Sequence, residues 1–403
     1  MLNFLSRTID ISDYEMCESD ITFDEICRSV NGMKKGKTPG PDGLTCEFYC
    51  KFINEFKDIF FHVFNCIENE GQLSRSMRHS VINLIFKKKG DKNDIKSYRP
   101  ITLANVDYKI LARIMANRLK LTLTKIISNT QTCSVIGRDI SDTVCSIINV
   151  IDLIDEEELQ AYILKTDQEK AFDRVSHEFL FSVLEKFGFG ERFRKWITIF
   201  YTNVRSSVKC NDHLTPYYSF NNGIKQGCPL SSILYTIVSE TLDRQFYKTQ
   251  KLLHADDTTF SLANRKSIFI VFDILKIYSG ASGAKINKKK SEILILGNGY
   301  LLQNDIEQLG ITKVKHLTYE VIPGFLNFIA IHEILSEKDA DLKYDDVCKF
   351  YRNVLVSLPP EWVHFINENI NPVSKNFEIT ADCFSFSVED KEVPMPQKYS
   401  NFL

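Results

Sequence analysis

Long apolar runs are missing from this 403-residue chain. The nearest to one, Ile268–Leu275, is interrupted by Asp273 and falls far short of the ~18–20 residues that a membrane span needs. The opening apolar run, Met1–Leu5, stops at Ser6-Arg7 and is too short for the core of a secretion signal. None of the 11 cysteines forms a Cys-x-x-Cys pair, which excludes the common zinc and dithiol spacings. Cys46 and Cys50 stand one helical turn apart and predict a shared helix face instead. An odd, scattered set of thiols with no signal ahead of it points to a reducing, intracellular compartment. An excess of one charge is lacking too, because 50 lysines and arginines face 52 acids, a net of −2. That excludes a uniformly basic coat. Repeats and low-complexity tracts are absent, and a hydrophobic share of 44% excludes a wholly disordered chain.

The charge that is present is unevenly placed. Residues 31–130 hold 18 bases against 9 acids, and residues 316–403 hold 14 acids against 7 bases. A basic block in a near-neutral chain is a plausible polyanion footprint, with a solvated lysine-rich surface as the alternative. Residues 1–30 read as an acidic entry segment, and Lys34–Gly43 as a turn-rich basic loop. Phe48, Phe52, Phe56, Phe60, Phe64 and Ile67 recur at helical spacing and predict one long helix ending at Gly71. Val81–Phe86 and Tyr98–Leu103 read as extended, and residues 106–127 as a helix with Ile110, Ile114 and Leu121 on its apolar face. Further on, a strand at Tyr162–Thr166 enters Asp167, and Ser176 is a good N-cap for a helix at 177–187, with another helix at 191–203. Hairpins are predicted at 206–220 and across Asp256-Asp257, a helix at 231–242, another at 267–278 and a strand at 292–296. Two more helical patterns, 344–358 and 361–369, close the series, the second with Pro360 at its start.

The chemically informative arrangement is one carboxylate at a strand end, Asp167, plus the pair Asp256 and Asp257 at a turn. Carboxylates brought together repel unless a cation compensates. Mg²⁺ takes oxygen ligands, usually one or two carboxylates, and leaves places for water and phosphates. Taken singly, Asp-Asp at a turn also reads as ordinary turn chemistry, and Asp at a strand end as a cap.

The ordered motifs between Ile21 and Ile295 decide between these. They are Gly36–Leu44, Lys87–Leu103 with Ser97-Tyr98-Arg99-Pro100, Asp107–Ala112, Asp167–Val175, Gly223–Ser231 with Gln226-Gly227-Cys228-Pro229, His254–Thr258 and Ile286–Glu292. In this order they resemble the reverse transcriptase domain of non-LTR (LINE-type) retrotransposons. The resemblance implies an α+β fold, a right-hand polymerase-like fingers and palm with an antiparallel palm sheet backed by helices and a degenerate or replaced thumb. It divides the chain into fingers with the basic template-facing segment at 1–159, a palm with the catalytic carboxylates at 160–297, and a thumb remnant with an unassigned acidic region at 298–403. It implies an RNA-directed DNA polymerase that adds deoxynucleotides to a primer 3′ end, using Mg²⁺ or Mn²⁺, an RNA template, and a DNA primer or nicked target DNA. No membrane partner is implied, and the expected place is cytoplasm, nucleus or both.

Residue by residue, the resemblance makes Asp167 and Asp256 the metal-bridging carboxylates and Asp257 an auxiliary acid of the same site. Phe172 matches the position under the incoming sugar, where a ring would collide with a 2′-hydroxyl; a core Phe is its alternative. Lys87 and Arg99 match the triphosphate grip, and otherwise read as surface bases. Gln226 and Gly227 match the loop beneath nucleotide and template, where Gly permits close backbone approach. Lys290 is a candidate general acid for pyrophosphate or a plain surface lysine. Asp173 and Ser176 read as helix caps. Several features depart from the pattern. Only Asp243–Leu253 separates the helix from the Asp-Asp hairpin, one palm strand too few, which predicts an exposed sheet edge beside Asp256. His254 and Ser134 stand where aromatics are expected. No endonuclease-like stretch precedes the motifs, and the tail matches no thumb, so a chain truncated at both ends is expected. A polymerase fold that only binds nucleic acid is the alternative function. An RNA-directed RNA polymerase is a third, against which Phe172 argues.

Overall fold

A computed structural model describes residues 2–88, 90–138, 159–246, 250–254 and 257–314, scattered positions from 143 to 157, and three short strands near the C-terminus. The chain divides into two compact units, 1–139 with 146–316, and 140–145 with 317–403. In the second unit, the described strands Phe377–Thr380, Ser385–Val388 and Lys391–Pro394 form an antiparallel meander. The helical patterns at 344–358 and 361–369 lie outside the described residues.

Two sheets organise the first unit. One has the order β2-β1-β4-β5, with β1 at His79–Phe86, β2 at Tyr98–Leu103, β4 at Arg205–Cys210 and β5 at His213–Leu214; β6, Tyr218–Ser219, also pairs with β4. β1 runs antiparallel to β2 and parallel to β4. The other sheet has the order β10-β9-β3-β8-β7, from β3 at Ala161–Thr166, β7 at Gln250–His254, β8 at Asp257–Leu262, β9 at Glu292–Leu296 and β10 at Thr312–Val314. Its pairings are antiparallel except β9 with β10. The helices His177–Lys186, Ser231–Asp243 and Arg265–Ser282 pack on one another, and the last also packs on β8. This is a mixed α+β arrangement. No helix among the described residues is long and apolar enough to cross a membrane.

Burial explains the helices. Val106–Ile126 buries 13 of its residues, including Ile110, Leu111, Ile114, Met115, Leu119 and Leu123, so its buried face is wider than a narrow stripe. Leu121, expected on that face, is 54% exposed. The buried Arg118 ties this helix to the N-terminal segment, pairing with Glu25 at 2.7 Å and donating to the carbonyls of Cys17, Ser19 and Asp20. The single helix expected over 48–67 is two, Cys46–Lys51 and Lys57–Glu70. The break folds Phe56 back against Phe48 and Tyr49, each at 5.6 Å between ring centroids. Aromatic packing outweighs helix continuity there. Cys46 and Cys50 share a face as expected, their thiols directed at the carbonyls of Lys34 and Val30.

Candidate active site

β3 lies at the centre of its sheet, and all six of its residues are buried. Tyr162 and Leu164 enter the core cluster, and the strand pairs with β8 and β9 on its two sides. Its C-terminal end delivers Asp167. The last pair of the β3–β8 register is Thr166 with Thr258, so one further step sets Asp167 opposite Asp257. The turn at 286–291 braces Asp167 by its backbone. Asn287 N donates to its carbonyl at 2.8 Å, and its own N–H donates to Ser291 Oγ at 3.4 Å. Lys290 lies exposed on that turn, its N–H donating to Asn287 O. Asp256 lies outside the described residues, as does the His254 side chain. Lys165, a buried residue of β3, sets its ammonium 3.7 Å from Asp257 Oδ1. That cation offsets part of the negative charge at the strand mouth.

Beyond Asp167 the chain turns sharply into Ala171–Arg174. Phe172 stacks on the buried Tyr235 ring at 4.9 Å and 24°. Its carbonyl accepts from Ile224 N at 2.7 Å, and Gly223 N donates to Val175 O at 2.8 Å. Gly223 has φ +91°, and a Cβ there would lie 2.7 Å from Asp173 O, so only glycine allows this seam. Gln226 bridges two elements. Its carbonyl accepts from Thr102 N at 2.9 Å, and its amide donates to Asp173 Oδ1 at 3.4 Å. Asp173 therefore receives Gln226 rather than capping a helix, and burial pushes its carboxyl up. Ser176 does cap, accepting from Phe179 N. Gly227, at φ +100°, sits so close to β2 that a Cβ would meet Thr102 O at 3.0 Å.

β2 carries the next group. Ile85 pairs with Arg99 and Phe86 with Tyr98, and Lys87 N continues the ladder to Ser97 O at 2.9 Å. Strand alternation puts Lys87 and Arg99 on one exposed face of this hairpin. Lys87 Nζ donates to Lys96 O at 2.8 Å. The structure thus links Asp167 and Asp257 by register, Phe172 and Gln226 by the 172–226 seam, and Gly227 to the Arg99 strand through Thr102. Lys290 joins through Asn287.

Sequence reasoning passed over several residues. Lys165 carried no motif signal, and neither did Tyr235. Lys225 stood inside a quoted motif, yet its burial was not legible. Its Nζ lies 4.7 Å from the Tyr108 ring centroid, makes no hydrogen bond among the described residues, and is pushed down to about 8 by burial.

The exposed edge expected at β7 is not found. Leu253 N donates to Thr130 O at 2.8 Å, and Thr132 N donates to Leu253 O at 3.1 Å, so residues 130–132 cover that edge. This strap is held by buried acids of the helix Ser231–Asp243. Asp243 accepts from the hydroxyls of Ser128 at 2.5 Å and Thr130 at 2.8 Å, and Glu240 accepts from Ser128 N at 3.1 Å. Burial pushes the Glu240 carboxyl up to about 7, with Asp243 adding to the rise and Arg244 opposing it. Arg138 closes the strap by donating to the carbonyls of Gln131 and Ser128.

Residues 86–321 match the family described as Reverse transcriptase (RNA-dependent DNA polymerase). This chain belongs to the reverse transcriptase family. It is 34% identical over 297 residues to the Transposon TX1 uncharacterized 149 kDa protein of Xenopus laevis, covering 70% of this chain and 23% of that one. It is 24% identical over 286 residues to the retrovirus-related Pol polyprotein from type-1 retrotransposable element R2 of Nasonia vitripennis, covering 68% and 27%. Against the RNA-directed DNA polymerase from mobile element jockey of Drosophila funebris it is 24% identical over 240 residues, covering 56% and 25%. Its reverse transcriptase domain is related to those of non-LTR retrotransposons, and the chain spans about a quarter of the length of these curated relatives. Among solved structures, apo telomerase from Candida tropicalis, truncated from its C-terminal domain, aligns with a TM-score of 0.43 at 16% identity, covering 64% of this chain and 57% of that one.

Proposed function

We propose that this chain is an RNA-directed DNA polymerase that extends a primer 3′ end with deoxynucleotides on an RNA template. The observation that carries the reading is the register of β3 and β8, which sets Asp167 opposite Asp257 at one strand mouth. The linked seam through Phe172, Gln226 and Gly227 supports it. The donors are carboxylate oxygens, which suit a hard divalent cation. Magnesium or manganese would be held by Asp167 and Asp256, with Asp257 beside them, and would supply charge neutralisation and activation of the attacking oxygen. Lys165 beside Asp257 favours an auxiliary part for that acid. Phe172, fixed by its stack on Tyr235, is set to exclude a 2′-hydroxyl. Arg99 and Lys87 bind the triphosphate, Gln226 and Gly227 line the floor under the nucleotide, and Lys290, on the turn whose Asn287 bonds the Asp167 carbonyl, serves the leaving pyrophosphate. In this reading the β1–β2 sheet belongs to the fingers, the β3–β8 sheet to the palm, and the segment beyond 297 to a reduced thumb. The primer is a DNA strand or nicked target DNA.

The test is primer extension on poly(rA)/oligo(dT) with Mg²⁺ or Mn²⁺, comparing wild type with Asp167→Asn and Asp256→Asn. Extension by wild type alone supports the reading. Folded wild type that extends nothing under either metal overturns it and favours a polymerase fold that only binds nucleic acid.

A further inference from the structure

The turn that carries Gln226 and Gly227 is fixed to one segment, the end of β2 and the start of the helix Val106–Ile126. On the β2 side, Thr102 N donates to Gln226 O at 2.9 Å, and a Cβ on Gly227 would meet Thr102 O at 3.0 Å, so little slack remains there. On the helix side stands Tyr108. Its hydroxyl donates to Cys228 Sγ at 3.3 Å, and its ring lies T-shaped to Phe200 at 5.4 Å and 84°. Lys225 Nζ sits over the same ring, 4.7 Å from its centroid. Lys225 also closes the turn from within, because its carbonyl accepts from Cys228 N at 3.1 Å and from Ser231 Oγ at 2.6 Å. Its ammonium is buried and has no hydrogen-bond partner among the described residues.

Burying an ammonium without a hydrogen bond opposes folding, and a methionine would fill a similar volume without that cost. What the charge adds is attraction to the ring face, which is stronger where water is excluded. We propose that Lys225 is a positioning residue: its ammonium, seated on Tyr108, clamps the 225–228 turn to the helix and so fixes where Gln226 and Gly227 stand. The effect reaches Asp173, because the Gln226 amide donates to its Oδ1 at 3.4 Å, and Asp173 adjoins Phe172 in the chain. The turn is thus held from three directions, by β2, by the Tyr108 ring and by Asp173. That it forms the floor under a nucleotide rests on the polymerase reading; the clamp itself does not.

The test is hydrogen exchange of the full chain, without metal or nucleotide, read on peptides spanning 225–231 and, as a control, on β3 at 161–166. Lys225→Met is expected to speed exchange about tenfold in 225–231 alone. Its melting temperature should be equal to wild type or higher, because the buried charge is gone. Lys225→Arg, which keeps the charge, is expected to stay within about twofold of wild type. In primer extension, Lys225→Met is expected to raise the deoxynucleotide KM about tenfold while kcat stays within about twofold. Wild-type exchange in Lys225→Met overturns the proposal. So does faster exchange in both peptides, which would make Lys225 a general support of the fold. A loss in Lys225→Arg equal to that in Lys225→Met overturns it too, by removing the charge as the cause. A loosened turn with an unchanged KM overturns the positioning of Gln226. A wild-type chain that extends no primer overturns the polymerase reading alone, and the exchange result still decides the clamp.

Discussion

β3 has a strand on each side and six buried residues, whereas β7 has a strand on one side and the strap 130–132 on the other. The two strands flank β8, which begins at Asp257, yet different forces hold them. Apolar burial keeps β3 in register, because a one-residue slip would turn Tyr162 and Leu164 out of the core. The outer edge of β7 depends on a few polar bonds, chiefly to Asp243 and Glu240, both buried. Truncating a buried β3 side chain loses area and leaves a cavity, whereas removing one partner of the strap takes an acceptor from a small set of polar groups. The Asp257 end of the sheet is thus secured twice, once by area and once by individual residues.

The largest effect expected is chemical. Asp167→Asn should lower nucleotide incorporation by on the order of 10³-fold or more while leaving the melting temperature unchanged, as read by primer extension and thermal denaturation. A drop in melting temperature would instead make Asp167 part of the sheet's support. Next, Leu164→Ala, at a fully buried β3 position, should cost roughly 2–5 kcal/mol in denaturant unfolding, through lost burial and a cavity.

Asp243→Ala should cost less, about 1–3 kcal/mol, by removing the carboxylate that accepts from both the Ser128 and the Thr130 hydroxyl. It should also lower incorporation, because the strap holds β7, whose last residue pairs with Asp257. Stability lost with activity intact would break the comparison.

Glu240 sharpens it through pH. Its carboxyl is raised from 4.5 to about 7 in the fold. The folded state therefore binds the proton more tightly, and stability falls as pH rises between about 4.5 and 7. Glu240→Gln should flatten that part of the stability–pH curve by on the order of 2 kcal/mol relative to wild type. The smallest effect is expected at the exposed Arg28–Asp24 pair, 68% and 73% exposed. Arg28→Ala should change unfolding by no more than about 0.5 kcal/mol.

Much of this was legible in the sequence. The strands at 161–166, 257–262 and 292–296, the helix at 231–243 and the Ser176 cap follow from local periodicity and capping chemistry. The motif order pointed to Asp167, Phe172, Gln226 and Gly227 before any contact between them was visible. The interruption at Phe52–Phe56 was not legible, because the aromatic spacing continues through it and only the packing of Phe56 on Phe48 breaks the helix. The cover over β7 was hidden for a different reason. It joins residues about 120 positions apart through hydroxyls and carboxylates that carry no periodic signal.

The sequence by itself determined the kinds of elements, their order, and the residue types that carry the chemistry, because helix and strand patterns repeat over a few neighbouring positions. Only the tertiary structure decided which strands pair. It alone laid β1 parallel to β4, set Lys165 beside Asp257, and covered the outer edge of β7 with the strap 130–132. Those choices depend on the combined burial of distant segments and on the need to satisfy every buried polar group, and neither can be read from a local window.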